Sequence, residues 1–173
     1  MNPFAQIAFQ HRLQAYERCD LPIVYLDESG FQLLAPRTHG YQLKGKRCND
    51  KHDWHCRKSV NAIGAIVENK FLTVSLFEGP INSDVFYAWI TQDLLPKLSR
   101  SSVIVMDNAK FHKRADIEEA VKNHGSVIQW LPTYSPEFNP IEKKWAQAKS
   151  IRRKHRCDID TLFREHFDYA KLF

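Results

Sequence analysis

An α/β fold, with a mixed central β-sheet flanked by α-helices, follows from three features of the sequence. Two short, wholly apolar runs rich in β-formers, Ile23-Val24-Tyr25-Leu26 and Val103-Ile104-Val105-Met106, each stop at an aspartate. Two further β-rich runs, residues 59–67 and 71–77, are separated by Glu68-Asn69-Lys70, where Asn69 can take a positive φ and close a hairpin. Before, between and after these runs, apolar residues recur at helical spacing. With 173 residues, of which 43% are hydrophobic and 12% aromatic, the chain can bury one sizeable core and not two.

Taken in order, Phe4, Ile7, Ala8 and Ala15 mark a leading helix over residues 3–18, and Leu21-Pro22 stops it. Residues 23–26 form a buried strand ending in the polar turn Asp27-Glu28-Ser29-Gly30, which puts Asp27 at the strand's C-terminal lip. Residues 31–35 can pair back as a second strand, and residues 36–58, polar and basic without periodicity, read as a long loop. After the hairpin, Gly79-Pro80 breaks the chain and Asn82 or Ser83 caps an amphipathic helix through Phe86, Trp89, Ile90 and Leu94 to Pro96. The strand 102–106 follows. Ile117, Ala120 and Val121 mark a helix closed by His124-Gly125, and residues 127–130 make a short strand. Ser135-Pro136 and Asn139-Pro140 lead into a helix from about Pro140 with Ile141, Trp145 and Ala148 on one face, and a last helix runs over about residues 160–170.

No apolar stretch approaches the roughly 20 residues that a membrane-spanning helix needs, and Asn2-Pro3 opens no basic-then-apolar leader. The expectation is a soluble, cytoplasmic protein without a membrane partner. Cys19, Cys48, Cys56 and Cys157 lack paired zinc-ribbon spacing and are read as reduced thiols. Cys48, His52, His55 and Cys56 gather softer ligands, but their spacing fits no common structural zinc site. Twenty-five Lys and Arg against 20 Asp and Glu give a formal charge of +5, a mild pointer to a polyanion. Distribution says more than the sum. From residue 142 to 156 the chain carries Lys143, Lys144, Lys149, Arg152, Arg153, Lys154 and Arg156, with Glu142 the only acid.

An ionised carboxylate beside a core must be solvated, paired or bound to a cation. If the two Asp-terminated strands are neighbours, Asp27 and Asp107 open on one site, and Glu142 from a nearby helix brings a third like charge. Mutual repulsion then raises the pKa values unless a divalent ion compensates. Carboxylates suit Mg²⁺ or Mn²⁺, and two such ions about 4 Å apart serve phosphoryl displacement. A plainer reading stands beside each acid. Asp27 can be a turn residue, Asp107 can start a loop or cap a helix, and Glu142 sits three residues after Asn139, the place of a capping-box glutamate.

Context separates these readings. Val103-Ile104-Val105-Met106-Asp107-Asn108-Ala109-Lys110-Phe111-His112, followed by Leu131-Pro132-Thr133-Tyr134-Ser135-Pro136-Glu137-Phe138-Asn139-Pro140-Ile141-Glu142-Lys143-Lys144-Trp145, closely resembles the mariner-like DDE transposases of bacterial insertion sequences. Tyr25-Leu26-Asp27-Glu28-Ser29-Gly30-Phe31 resembles their first catalytic block, and the 34 residues between Asp107 and Glu142 match that family's spacing. The resemblance covers roughly residues 20 to 150. It implies a ribonuclease H-like fold with Asp27 and Asp107 on adjacent strands and Glu142 on a helix, all three catalytic and all three ligands of a two-metal Mg²⁺ or Mn²⁺ site. It further implies cleavage at transposon ends, insertion by the freed 3′-hydroxyl, usually at TA, and a homodimer working on DNA at the nucleoid.

Relatives carry helix-turn-helix modules ahead of the catalytic domain. Residues 1–20 read here as leading helix and linker, residues 21–173 as the DDE catalytic domain, with the front region absent. A catalytic domain alone, a second reading frame joined by frameshifting and a decayed fragment all fit. Arg37, Lys44, Lys46, Arg47, Lys110, His112, Lys143, Lys149, Arg152 and Arg153 are the candidate DNA contacts. Against this stand a solvated face for the basic run and a capping or packing role for His112. Trp145 is read as a packing residue. The rival functions are a same-fold metal-dependent endonuclease without strand transfer, and a non-catalytic remnant that binds DNA or dimerises.

Overall fold

The computed structural model describes residues 3–32, 59–133 and 135–171. Five strands form one sheet in the order β3-β2-β1-β4-β5: β1 Ile23–Gln32, β2 Ser59–Val67, β3 Lys70–Phe77, β4 Val103–Met106 and β5 Val127–Trp130. β2 runs antiparallel to both β1 and β3, whereas β1, β4 and β5 are mutually parallel. Helices α1 Pro3–Arg18, α2 Ser83–Trp89, α3 Leu95–Lys97, α4 Ala115–Asn123, α5 Ile141–His155 and α6 Ile159–Glu165 complete the order. The sheet is mixed and flanked by helices, as the sequence predicts.

Strand alternation divides the core by face. Val24, Leu26, Ile104 and Met106 meet Phe86, Ile90, Leu94, Ile117 and Val121 on one face. Val103 and Val105 meet Phe9 on the other, and Val60, Ala62, Ile66 and Phe31 there meet Ile141, Trp145 and Phe163.

The predicted break after Leu26 does not occur. β1 is a single strand through Glu28-Ser29-Gly30, because β2 pairs with it from Val24↔Val67 to Gln32↔Ser59. Continuous ladder bonding outweighs the turn chemistry of the polar tetrad, so residues 31 and 32 continue β1 and do not pair back on it. The stretch predicted as a loop, residues 36–58, lies outside the described residues.

Between β2 and β3 both Glu68 and Asn69 have positive φ, 47° and 65°, the geometry of a two-residue primed turn matching strand twist. Asn82 caps α2, accepting from the N–H groups of Asp84 and Val85 at 3.1 and 2.9 Å. The helix passes through a π-turn, Ile90–Leu94, and Pro96 lies within its last turn, not at its end. Gly125, at φ 80°, ends α4 with its own N–H on Lys122 O and that of Ser126 on Val121 O, a Schellman closure.

Two helices differ from expectation. α1 buries Phe9, with Leu13 and Tyr16 beside it, whereas Phe4 and Ile7 are exposed. The sheet edge selects the i, i+4 stripe from Phe9 over the one the apolar residues at the start imply. α6 starts earlier, capped by Asp158, and ends at Glu165. Beyond it Tyr169 bridges Phe71 of β3 and the Ala170 N–H donates to Phe71 O at 2.7 Å, so strand pairing replaces helix there. Among the described residues no helix is long and apolar enough to cross a membrane.

Candidate active site

The parallel register of β1 and β4 ends at Tyr25↔Val105. Asp27 and Asp107 each lie two residues further on. Side chains two apart in a strand share a face, so Asp27 belongs to the face carrying Tyr25, while Asp107 follows directly on the end of β4. Asp27 sits within β1, not at its end; it emerges past the sheet's parallel part because β4 stops at Met106.

α5 brings the third acid. Trp145 fixes this helix on the sheet: it is 2% exposed and meets Phe31, Phe71 and Phe163 at ring-centroid distances of 6.1, 5.3 and 6.2 Å. Gly64 makes the approach possible. A Cβ there would lie 2.6 Å from Trp145 Cη2, and Gly64 is the β2 residue directly opposite Asp27. Glu142, one turn before Trp145, is exposed and makes no side-chain hydrogen bond among the described residues. Pro140 occupies the N-cap without a side-chain cap bond, and Asn139 is buried with its Oδ1 unpartnered. The capping-box arrangement is therefore not formed, and Glu142 is left facing outward in the first turn, where the helix dipole favours an anion.

Asp27 registers all of its neighbours. Burial, then Glu28, Glu142 and Asp107, push its carboxyl up to about 7, with the Glu28 N–H opposing. Every charge acting on it is a carboxylate, which is the chemistry of a cation site. Among the described residues no group of three or more His, Cys, Asp or Glu closes tightly enough to hold a metal ion. The acids are electrostatic neighbours that have not closed on one point.

Asp107 is in the opposite condition. Its carboxyl is held below the ordinary range, chiefly by His112 in close contact with it, with the Ala109 N–H donating to it at 3.0 Å. His112 is buried and lies between two acids, Nε2 2.7 Å from Glu28 Oε1 and Nδ1 2.6 Å from Asp107 Oδ1. Burial works against its charge, but the two carboxylates prevail and push its pKa up to about 9. Asn108 Nδ2 donates to Leu131 O at 2.7 Å, tying the end of β4 to the end of β5.

Glu28 is a site neighbour that the sequence alone does not single out. A turn at 27–30 leaves its direction undefined. A strand sends Asp27 and Glu28 to opposite faces, and so puts Glu28 beside a histidine five residues past Asp107.

Of the candidate DNA contacts, Lys110, Lys143, Lys149 and Arg153 are exposed. His112 is enclosed as described. Arg152 is buried and donates through Nη1 to Gln32 O, which ties α5 to the end of β1. Arg37, Lys44, Lys46 and Arg47, like Cys48, His52, His55 and Cys56, lie outside the described residues.

A five-stranded mixed sheet flanked by helices is the ribonuclease H-like fold, matching that of the catalytic domain of Mos1 mariner transposase. Residues 22–162 match the family described as DDE superfamily endonuclease, and the chain belongs to that family.

A comparison with curated protein sequences finds no match. Among solved structures, the catalytic domain of Mos1 mariner transposase aligns with a TM-score of 0.64 at 14% identity, over 96% of this chain and 82% of that one. A pre-cleavage Mos1 transpososome aligns with a TM-score of 0.69 at 14% identity, over 96% and 55%. The Mos1 catalytic domain with Raltegravir and Mg aligns with a TM-score of 0.62 at 13% identity, over 99% and 86%. The chain spans about half the length of the transposase chains in the DNA complexes, 50% and 55% in two of them.

Proposed function

We propose that this chain is the catalytic domain of a mariner-like transposase of the bacterial insertion-sequence kind. In this reading Asp27, Asp107 and Glu142 hold two divalent cations, Mg²⁺ or Mn²⁺, for cleavage at transposon ends and strand transfer into target DNA at TA. The observation that carries it is the crowding of carboxylates around Asp27, uncompensated by any basic group acting on it. When bound, the cations activate the attacking oxygen and stabilise the leaving one.

The chain's own residues do the rest. Trp145, packed against Gly64 opposite Asp27, holds α5 and its acid beside β1 and β2. Exposed Lys110, Lys143, Lys149 and Arg153 meet phosphates along the strand entering the site, together with Arg37, Lys44, Lys46 and Arg47 of the segment beyond the described residues. Work on paired ends calls for a homodimer, and the DNA substrate places the protein at the nucleoid. The solved relatives named for transposon-end complexes support DNA as partner.

The test is nicking of supercoiled plasmid in Mn²⁺. Wild type is expected to nick, and Asp27→Asn, Asp107→Asn and Glu142→Gln to fall to background while retaining cooperative thermal unfolding. Nicking that survives all three substitutions contradicts the assignment. The family's own description favours one second reading, an endonuclease without strand transfer; nicking without any joined DNA product would select it. A folded wild-type protein that binds DNA but never nicks it would select the remnant.

A further inference from the structure

We propose that Glu28 and His112 form a positioning pair for Asp107, committing one of its oxygens to the protein so that the other is presented to the cation. This rests on the metal-site reading of Asp107 and goes beyond it, since neither residue belongs to the acid triad.

The geometry is specific to one oxygen. Asp107 Oδ1 lies 2.6 Å from His112 Nδ1 and accepts the Ala109 N–H at 3.0 Å. Oδ2 has no partner among the described residues. The turn that supplies both groups is itself closed, with the His112 N–H on Ala109 O at 3.1 Å. The Nδ1 contact is a close charge pairing outside hydrogen-bond alignment, whereas the Ala109 N–H is aligned; together they bias the carboxylate's rotamer before any ligand arrives, which is how groups behind a metal ligand raise affinity.

His112 can do this only if its own ring is fixed. Phe86 and Phe111 flank it at centroid distances of 4.2 and 4.1 Å, and Nε2 meets Glu28 Oε1 at 2.7 Å. Glu28 lies on β1 next to Asp27 and on the opposite face. The pair therefore runs from β1, through a buried imidazole, to the end of β4, linking the two strands that supply the aspartates. Asp107 is held by a side chain in this way; Glu142 is not.

A histidine that merely packs would affect melting and leave cation affinity unchanged in a folded variant, so affinity is the readout. The free-ion Mn²⁺ paramagnetic resonance signal is titrated against wild type, His112→Phe, Glu28→Gln, the double variant, and Asp107→Asn as the control. Melting is followed separately. His112→Phe keeps an aromatic ring between Phe86 and Phe111 and removes both polar contacts.

His112→Phe is expected to weaken Mn²⁺ binding about 10- to 100-fold. Glu28→Gln is expected to weaken it less, and to add nothing once His112 is replaced, because the two act as one unit. The pair is overturned if His112→Phe binds Mn²⁺ as tightly as wild type, or if Glu28→Gln keeps its full effect in the double variant. Should His112→Phe not fold, Glu28→Gln and His112→Asn carry the test: unchanged affinity in both overturns the pair, and weakened affinity in Glu28→Gln supports it. A folded wild type that binds no Mn²⁺ removes the metal-site reading itself, a result distinct from binding that only Asp107→Asn abolishes.

Discussion

An ionised Asp27 must keep its charge beside a buried sheet face with three carboxylates close by, and its pKa moves from 3.8 to about 7 for that reason. The folded state then holds this proton more tightly than the unfolded chain does. The resulting stabilisation is complete at acid pH, declines as pH rises from about 4, and is gone above about 7. Asp27→Asn removes the charge at nearly constant volume. In chelator-containing buffer at pH 8 it is expected to raise unfolding stability by on the order of 1–3 kcal/mol, with little difference near pH 4. Denaturant titrations at both pH values check this, and a variant no more stable than wild type at pH 8 would contradict it. The three acids stand out in the sequence because each follows an apolar run or a proline-stiffened entry. Glu28 and His112 were not paired in advance, since their contact depends on which face each β1 residue takes and on the path of the turn after Asp107.

At the scale of elements, the site depends on how α5 docks. Glu142 has no side-chain tether of its own among the described residues and is placed by Trp145, whose ring lies in the space that Gly64 leaves open. A methyl group at Gly64 would sit 2.6 and 2.9 Å from two ring carbons of Trp145. Gly64→Ala is therefore expected to cost about 1–3 kcal/mol in denaturant unfolding and to weaken Mn²⁺ binding by displacing Glu142. Unchanged stability with unchanged binding would mean that α5 can shift freely over β2. The hairpin, the apolar runs of β1 and β4 and the capped start of α2 were all legible from local chemistry. Local sequence predicts too short a β1 because Glu28-Ser29-Gly30 has the composition of a turn, and nothing local reveals that β2 pairs along its whole length. The buried face of α1 is hidden from local sequence for a related reason. Phe4 and Ile7 offer a plausible stripe, but only the position of the sheet edge makes Phe9 the buried residue.

For the whole molecule, the question is whether the basic surface and the acid site serve one substrate. Lys149 and Arg153 lie one turn apart on the exposed side of α5, downstream of Glu142. If both meet phosphates, Lys149→Gln with Arg153→Gln is expected to lower the salt dependence of DNA binding by roughly one in slope per contact. Anisotropy titrations on duplex DNA at several salt concentrations read that slope, and an unchanged value would return these residues to a solvated face. The adjacency of β1 and β4 was not legible from periodicity, since the two strands are far apart in the chain; the motif resemblance implied it. The proposed cation site draws its acids from β1, the end of β4 and α5. Its most direct test is Mn²⁺ calorimetry on wild type, Asp27→Asn, Asp107→Asn and Glu142→Gln, with folding confirmed by thermal unfolding. Saturable binding in wild type that weakens sharply in each of the three variants is the predicted result. Binding that persists unchanged in any of them, or a folded wild type that binds no Mn²⁺, would contradict it.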